Sequence, residues 1–262
     1  MNTYNLAKFR AKKMKIKGIN WNYYDLGRGE KTIVILPNIL VFPSPWFEYA
    51  KFLETKSRII IPVYPPISDY GLMVEMLHLL LIKLGVKKFV MVGNSVGGIF
   101  AQIYQSRFPK DLEGLILIAT IAPNKFFGFL ATILYSLGKF APDIMIEGFV
   151  YVGTYFSLTS NKKLNNFWLP LLKDHIFQKQ TKKSILALGF CIISFCFGFK
   201  NKNMYEIPVS IINAKKDIVF HPFFQNSSKS YPKAKNYDIP DARHLLELSS
   251  KDTILQIIQN YL

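Results

Sequence analysis

The sequence predicts an α/β fold: a mostly parallel sheet covered by helices on both faces, with one helical insertion between two strands. Three observations point there. Short apolar runs alternate with helically spaced segments up to Thr120, the runs are apolar at successive positions, and the alternation stops between Ile121 and Lys200 before resuming. Strands buried on both faces read as continuous apolar runs, and helices packed on each side of a parallel sheet produce that burial.

The elements follow in order. MKIKGI and NWNYYDL (residues 14–26) alternate around Gly18 as an opening hairpin. KTIVILPN is a buried strand ended by Pro37, and PWFEYAKFLE carries helical spacing at Trp46, Tyr49, Ala50 and Leu53. RIIIPV is a second buried strand. YGLMVEMLHLLLIKLG is a helix ending at Gly85, and KKFVMVGN is a strand. VGGIFAQIYQSRFP is a helix stopped before Pro109, and LEGLILIAT is again a strand. The aromatic stretch that follows reads as helical, with Gly138, Pro142, Gly148 and Gly153 as breaks. IPVSIINAKKD and KNYDIP are the last strands, and SSKDTILQIIQNYL is the last helix. The expected division is residues 1–120 as the first part of a core, 121–203 as a helical cap, and 204–262 as the second part of the core.

Composition narrows the function classes. Half of the 262 residues are hydrophobic, enough for one substantial core. The two cysteines, Cys191 and Cys196, share one apolar stretch and read as small buried hydrophobes rather than a disulfide or metal pair. The N-terminal MNTYNLAKFRAKKMKIK has positive charge but no apolar region or cleavage site, so no secretory signal is expected and the expected location is cytoplasmic. The run SILALGFCIISFCFGF (184–199) falls just short of the ~18 residues of a membrane span. Flanked by Lys182, Lys183 and Lys200, it suits peripheral contact with a membrane or an acyl chain. A net charge of +16, from 33 Lys+Arg against 17 Asp+Glu, would attract anionic partners. No zinc-finger spacing, RNA-recognition core or basic heptad accompanies it, so nucleic acid is not an expected partner.

The chemistry centres on FVMVGNSVGGIF. Gly93-x-Ser95-x-Gly97-Gly98 sits between a strand and a helix, where small residues allow a tight turn that presents Ser95 beside a helix N-terminus. A serine hydroxyl needs a base, and the base needs an orienting acid. Of four histidines, His78 lies in a leucine-rich helix, His175 in the insertion, and His221 in a loop before Pro222. His244, in IPDARHLLELS, follows the last strand on the same sheet edge as Ser95 and is the candidate base. Asp217 closes an apolar strand and is the candidate acid. Asp241 reads as a turn-shaping residue.

Gly93-Asn94-Ser95-Val96-Gly97-Gly98, Asp217 after IPVSIINA and His244 in DARHLLELS together resemble the α/β-hydrolase superfamily, in the chain order Ser, Asp, His. The resemblance covers nearly the whole chain and implies an α/β-hydrolase fold with a cap after the sixth strand. It implies a Ser95 nucleophile, a His244 base, an Asp217 orienter and no metal or other cofactor. The chain departs from the family in having Leu36-Pro37-Asn38-Ile39 where members commonly carry His-Gly. The oxyanion hole is therefore expected from the backbone amides of Val96 and Ile39, with Asn38 as the other candidate loop donor. VYPPISDYG also lacks a pattern common after the fourth strand.

The leading expectation is a serine carboxylesterase acting on an acyl ester with an apolar chain. Substrate contacts are expected from Asn38, Phe126, Phe127, Tyr155, Phe156 and His221, and most of the cap aromatics are expected to form the cap's own core. Lys162, Lys163, Lys182 and Lys183 are the expected docking residues for an acidic acyl carrier protein. The chain is similar in size to esterases that cleave the methyl ester of pimeloyl-carrier protein in biotin synthesis. The alternatives are a carbon–carbon bond hydrolase of the meta-cleavage-product type, which Gly-Asn-Ser-x-Gly-Gly resembles, a lipase or monoacylglycerol-type esterase, and a non-catalytic binding fold.

Overall fold

The computed structural model describes residues 9–158, 161–178, 181–200, 207–220 and 227–262. The chain opens with β1 (Lys12–Ile16) and β2 (Ile19–Leu26), followed by β3 (Lys31–Leu36), α1 (Ser44–Leu53), β4 (Ser57–Val63), α2 (Tyr70–Lys83) and β5 (Phe89–Asn94). Then come α3 (Val96–Arg107), β6 (Leu112–Ile118), and four consecutive helices: α4 (Lys125–Phe140), α5 (Asp143–Ser157), α6 (Lys162–Gln178) and α7 (Lys182–Gly198). β7 (Val209–Ala214), α8 (Ser227–Ser230), β8 (Lys235–Ile239), α9 (Leu246–Ser249) and α10 (Lys251–Gln259) complete it.

The strands form one eight-stranded sheet in the order β1-β2-β4-β3-β5-β6-β7-β8. β1 and β2 are joined by Lys17-Gly18, both at positive φ (44° and 85°), the two-residue turn whose twist suits a hairpin. β2 also pairs antiparallel with β4, and every pairing from β4 through β8 is parallel. Alternation along the parallel strands divides the core. Val34, Leu36, Met91, Leu115 and Leu117 pack toward α2 and α3, while Ile33, Ile35, Val92, Ile116 and Ile118 pack toward α1 and α10. Both faces are covered, which is why these strands read as unbroken apolar runs.

The helices α4–α7 stand between β6 and β7. α4 crosses α7 closely: a Cβ on Gly128 would lie 2.7 Å from Cys196 Cβ. α7 continues down to the core, where Leu188, Cys191, Phe195 and Cys196 join the apolar cluster of α2 and α3. Both cysteines are free and buried, and burial pushes the Cys191 thiol up to about 12. α6 carries Trp168, Leu172 and Ile176 onto Leu40 and Phe42 in the loop after β3, and onto Leu245 and Leu248 at α9. No single helix among the described residues is long and apolar enough to cross a membrane.

The sequence expectations for helix breaks need correction. Gly138 lies inside α4, and Gly148 and Gly153 lie inside α5. Only Pro142 separates two helices. A glycine inside a helix costs about 1 kcal/mol relative to alanine, which tertiary packing overrides. Gly138 sits where a Cβ would press on Ile146 and Leu186 at 3.3 Å. The terminal helix is also shorter than expected, because Ser250 leaves helical geometry (φ −122°, ψ 33°) and divides α9 from α10.

Candidate active site

Ser95 is the single residue between β5 and α3, with φ 54° and ψ −118°, a conformation that non-glycine residues rarely adopt. Its surroundings hold it there. The Ser95 amide donates to Ile118 O (2.8 Å), and the Ser95 carbonyl accepts from Thr120 Oγ1 (2.8 Å) and the Gly98 amide (2.9 Å). The glycines are required by space. A Cβ on Gly93 would lie 2.6 Å from Gly97 O, one on Gly97 would lie 2.1 Å from Leu36 O, and one on Gly98 would lie 2.6 Å from Thr120 Cβ. The motif therefore encodes the contact of α3 with β3 and β6, and the serine is the residue left facing outward.

His244 Nε2 stands 2.9 Å from Ser95 Oγ, and His244 Nδ1 donates to Asp217 Oδ2 at 2.8 Å. Asp217 Oδ1 accepts from the amides of Val219 and Phe220 at 2.8 and 2.9 Å, so both carboxylate oxygens are engaged. The Phe220 ring meets the imidazole edge-on. All three residues are buried. Burial alone would raise the Asp217 carboxyl, but the His244 charge, its hydrogen bond and the two amides together hold it below its ordinary value. Burial pulls His244 down. The Asp217 charge and hydrogen bond, with a smaller contribution from Glu247, outweigh that pull and raise its pKa above 6.5. The imidazole is thus oriented by an ionised acid with its second nitrogen on the serine, the arrangement of a general base beside a nucleophile. Rates that require neutral His244 accordingly fall as pH drops through a midpoint above 6.5.

Beside the serine, Asn38, Ile39 and Leu40 line the cavity into which Ser95 and His244 face. Val96 opens α3, so its amide belongs to the first turn, which has no intrahelical acceptor. Pro37 offers a carbonyl, which accepts from Tyr64 OH at 2.9 Å. The Asn38 side chain is turned inward: Oδ1 accepts from the Leu40 amide and Nδ2 donates to Glu247 Oε1, both at 3.0 Å. Asn38 therefore shapes the loop rather than offering its carboxamide to a ligand.

Sequence reasoning missed Glu247. Its carboxyl is buried, with Oε2 accepting from Asn94 Nδ2 at 3.3 Å, so one acid links the loop after β3 to the residue preceding Ser95. Its own carbonyl accepts from Tyr49 OH at 2.8 Å. Burial lifts this carboxyl to about 7, against the lowering effects of backbone hydrogen bonding, the His244 charge and the two carboxamides. The available signal was the charge itself: a lone acid inside the apolar run HLLEL, three residues after His244.

The remaining expected residues are distributed unevenly. Phe127 lines the cavity and packs edge-on against Phe220. Phe126, Tyr155 and Phe156 are exposed and stay out of the cavity, because adjacent helical positions point about 100° apart and the inner positions belong to Phe127, Thr154 and Ser157. His221 lies outside the described residues. His78 bonds Tyr104 OH at 2.9 Å and stacks on Phe108, and His175 Nε2 meets Leu40 O at 2.7 Å. Asp241 is exposed and paired with Lys216. Lys162, Lys163 and Lys183 are exposed, whereas Lys182 donates to the carbonyls of Lys139 and Ala141 and so caps the end of α4.

The family model for the alpha/beta hydrolase fold matches residues 49–249. The chain belongs to this family. Solved structures share the fold at low identity. The enol-lactonase of Burkholderia xenovorans LB400 superposes with a TM-score of 0.78 at 14% identity, covering 95% of this chain and 99% of that one. A thermophilic esterase from Thermogutta terrifontis gives 0.77 at 18% identity, covering 96% and 97%. A bromoperoxidase from Bacillus anthracis gives 0.78 at 18%, covering 96% and 99%. No curated protein sequence matches the chain.

Two outcomes follow. Gly97→Ala should destabilise the fold by about 3 kcal/mol, since backbone rather than a side-chain tip blocks the added methyl; urea unfolding measures it, and a loss below about 1 kcal/mol would mean that the elbow is looser than described. Glu247→Gln tests the buried acid through pH. A carboxyl raised from 4.5 to about 7 binds more protons folded than unfolded, so it lowers wild-type stability as pH rises between those values. Relative to wild type, Glu247→Gln should therefore gain on the order of 3 kcal/mol between pH 4 and pH 8. A pH-independent difference would contradict the raised carboxyl.

Proposed function

We propose that the protein is a serine carboxylesterase that cleaves esters carrying an apolar acyl chain. The observation that carries this reading is the hydrogen-bonded series Ser95–His244–Asp217 opening into an apolar cavity of about 300 Å³. The cavity runs from Ser95 and His244 between α4, α5 and α7, past Phe127, Leu134, Phe149, Ile185 and Ile192. No lysine or arginine is among the described residues that line it. Such a space suits a hydrocarbon chain, with the ester carbonyl at the polar end. The names esterase and enol-lactonase on two similar structures agree with ester chemistry.

In this mechanism His244 takes the Ser95 proton as Oγ attacks the ester carbonyl. The backbone amides of Val96 and Ile39 stabilise the oxyanion, and His244 returns the proton to the departing alcohol. Water, activated by the same imidazole, then releases the acid and regenerates Ser95. Asp217 stays ionised and holds the imidazole in the productive tautomer.

The meta-cleavage alternative is weakened because the Asn94 carboxamide is directed at Glu247 beneath the elbow. The narrower substrate, a pimeloyl-carrier-protein methyl ester, draws its support from the lysine excess of the cap. Lys182 is already engaged with α4, which leaves Lys162, Lys163 and Lys183 for a carrier.

A p-nitrophenyl ester series tests the reading. Gly153 lines the cavity, and a Cβ there would meet nothing within 4 Å. Gly153→Phe should therefore fold, fill the channel, and reduce kcat/KM for octanoyl and longer esters by at least about tenfold while acetate stays within a few-fold. Equal losses across the series would remove the acyl channel, and no hydrolysis of any ester by wild type would remove the esterase.

A further inference from the structure

The outward faces of α4 and α5 are apolar. On α4, Phe129, Ile133, Leu137 and Phe140 follow helical spacing, and all are exposed, Phe140 by 87%. On α5, Met145, Phe149, Val152 and Phe156 do the same, each more than half exposed. An amphipathic helix in a water-soluble cap should turn such a stripe inward. Here the fully buried positions are small residues, Gly128 and Gly138 on α4 and Thr154 and Ser157 on α5, and at the two glycines neighbouring elements approach closely. The cap aromatics expected to be core are thus largely surface. Contiguous exposed apolar patches of this extent mark interaction sites.

Two further features identify the occupant. Leu134 and Phe149 line the acyl cavity and are also exposed, so its mouth opens on this face between α4 and α5. Exposed lysines border it: Lys125 and Lys139 at the two ends of α4, and Lys183 at the start of α7, which Lys182 ties to the end of α4. The acids facing the region are Asp143, within 3.9 Å of Lys182, and Glu147, in a chain of net charge +16.

We propose that this face docks on an anionic phospholipid bilayer, and that the esterase draws its acyl substrate from the membrane through the mouth between α4 and α5. This rests on the esterase reading for the substrate, but the docking itself does not require catalysis. A bilayer accepts protruding apolar side chains without shape complementarity and attracts the bordering lysines to its headgroups. A second copy would bring like-charged rims together and close the mouth. An acidic carrier protein would engage the lysines but leave the apolar stripe in water.

The test uses the full chain and extruded vesicles of phosphatidylcholine and phosphatidylglycerol in equal parts, compared with phosphatidylcholine alone. Wild type and Ser95→Ala should both float with the mixed vesicles and bind the neutral ones more weakly. Replacing Phe129, Leu137, Phe140 and Met145 together by Glu, positions outside the cavity lining, should reduce partitioning by at least about tenfold. That variant should hydrolyse p-nitrophenyl acetate within a few-fold of wild type yet lose hydrolysis of a long-chain ester held in vesicles. Phe140→Trp gives a second readout that needs no disruptive change: its emission should shift to the blue on adding mixed vesicles. The proposal is overturned if wild type does not float, or if the four-residue variant floats equally well. A wild-type dimer that the four substitutions convert to monomer would also overturn it, in favour of a second copy. Binding of an acidic acyl carrier protein that the substitutions abolish, with vesicle binding intact, would overturn it in favour of a carrier. Wild-type flotation without hydrolysis of any ester would leave docking standing and remove the esterase.

Discussion

The site depends on one steric constraint, the contact of the α3 N-terminus with the strands on either side of β5. Three glycines allow it, and the closest approach, a Gly97 Cβ position 2.1 Å from Leu36 O, is to backbone that has nowhere to retreat. The contact drives Ser95 into a sparsely populated conformation, leaves its side chain facing the cavity, and sets Gly97 against the Leu36 and Pro37 carbonyls at the end of β3. Strain of this kind persists only where the surroundings over-determine it. Here Ile118 O and Thr120 Oγ1 on the adjacent strand end hold the Ser95 peptide groups on both sides.

Around that contact, the loops that complete the site are tied to one another and to the inserted helices α5 and α6. The Leu245 amide donates to Ser157 O at 3.1 Å and Arg243 to Phe156 O at 3.3 Å, joining the end of α5 to the His244 loop. His175 of α6 bonds the Leu40 carbonyl, and Glu247 bridges Asn38 and Asn94. A buried acid near pH 7 is an expensive bridge, since burial disfavours its charged form. It joins three segments distant in sequence: the loop after β3, the turn before α3, and the helix after His244. The positions of Ser95, the Asn38 loop and His244 are therefore coupled through one carboxyl.

The sheet and the three chemical residues were legible because their signals are local. Continuous apolar strands report burial on both faces, glycine spacing reports the elbow, and an aspartate and a histidine just past strand ends report a sheet edge. What stayed hidden depends on pairing between remote segments. Nothing near Asn38 indicates that its carboxamide meets Glu247, and Gly148 and Gly153 look like breaks until their helix is seen. The inserted helices misled for a different reason: their aromatics are abundant enough to suggest a core, but helical phase sends Phe129, Phe140 and Phe156 on α4 and α5 to the surface and leaves Gly128, Gly138, Thr154 and Ser157 as the buried positions of those two helices.

The claim that Ser95 is a nucleophile activated by His244 and Asp217 has a direct measurement: intact-protein and peptide mass spectrometry after reaction with a fluorophosphonate. One adduct should form per chain, on the peptide containing Ser95, at a rate that falls at least about 10³-fold in His244→Ala and is abolished in Ser95→Ala. An adduct on another residue, or none while the protein remains folded, would contradict the assignment.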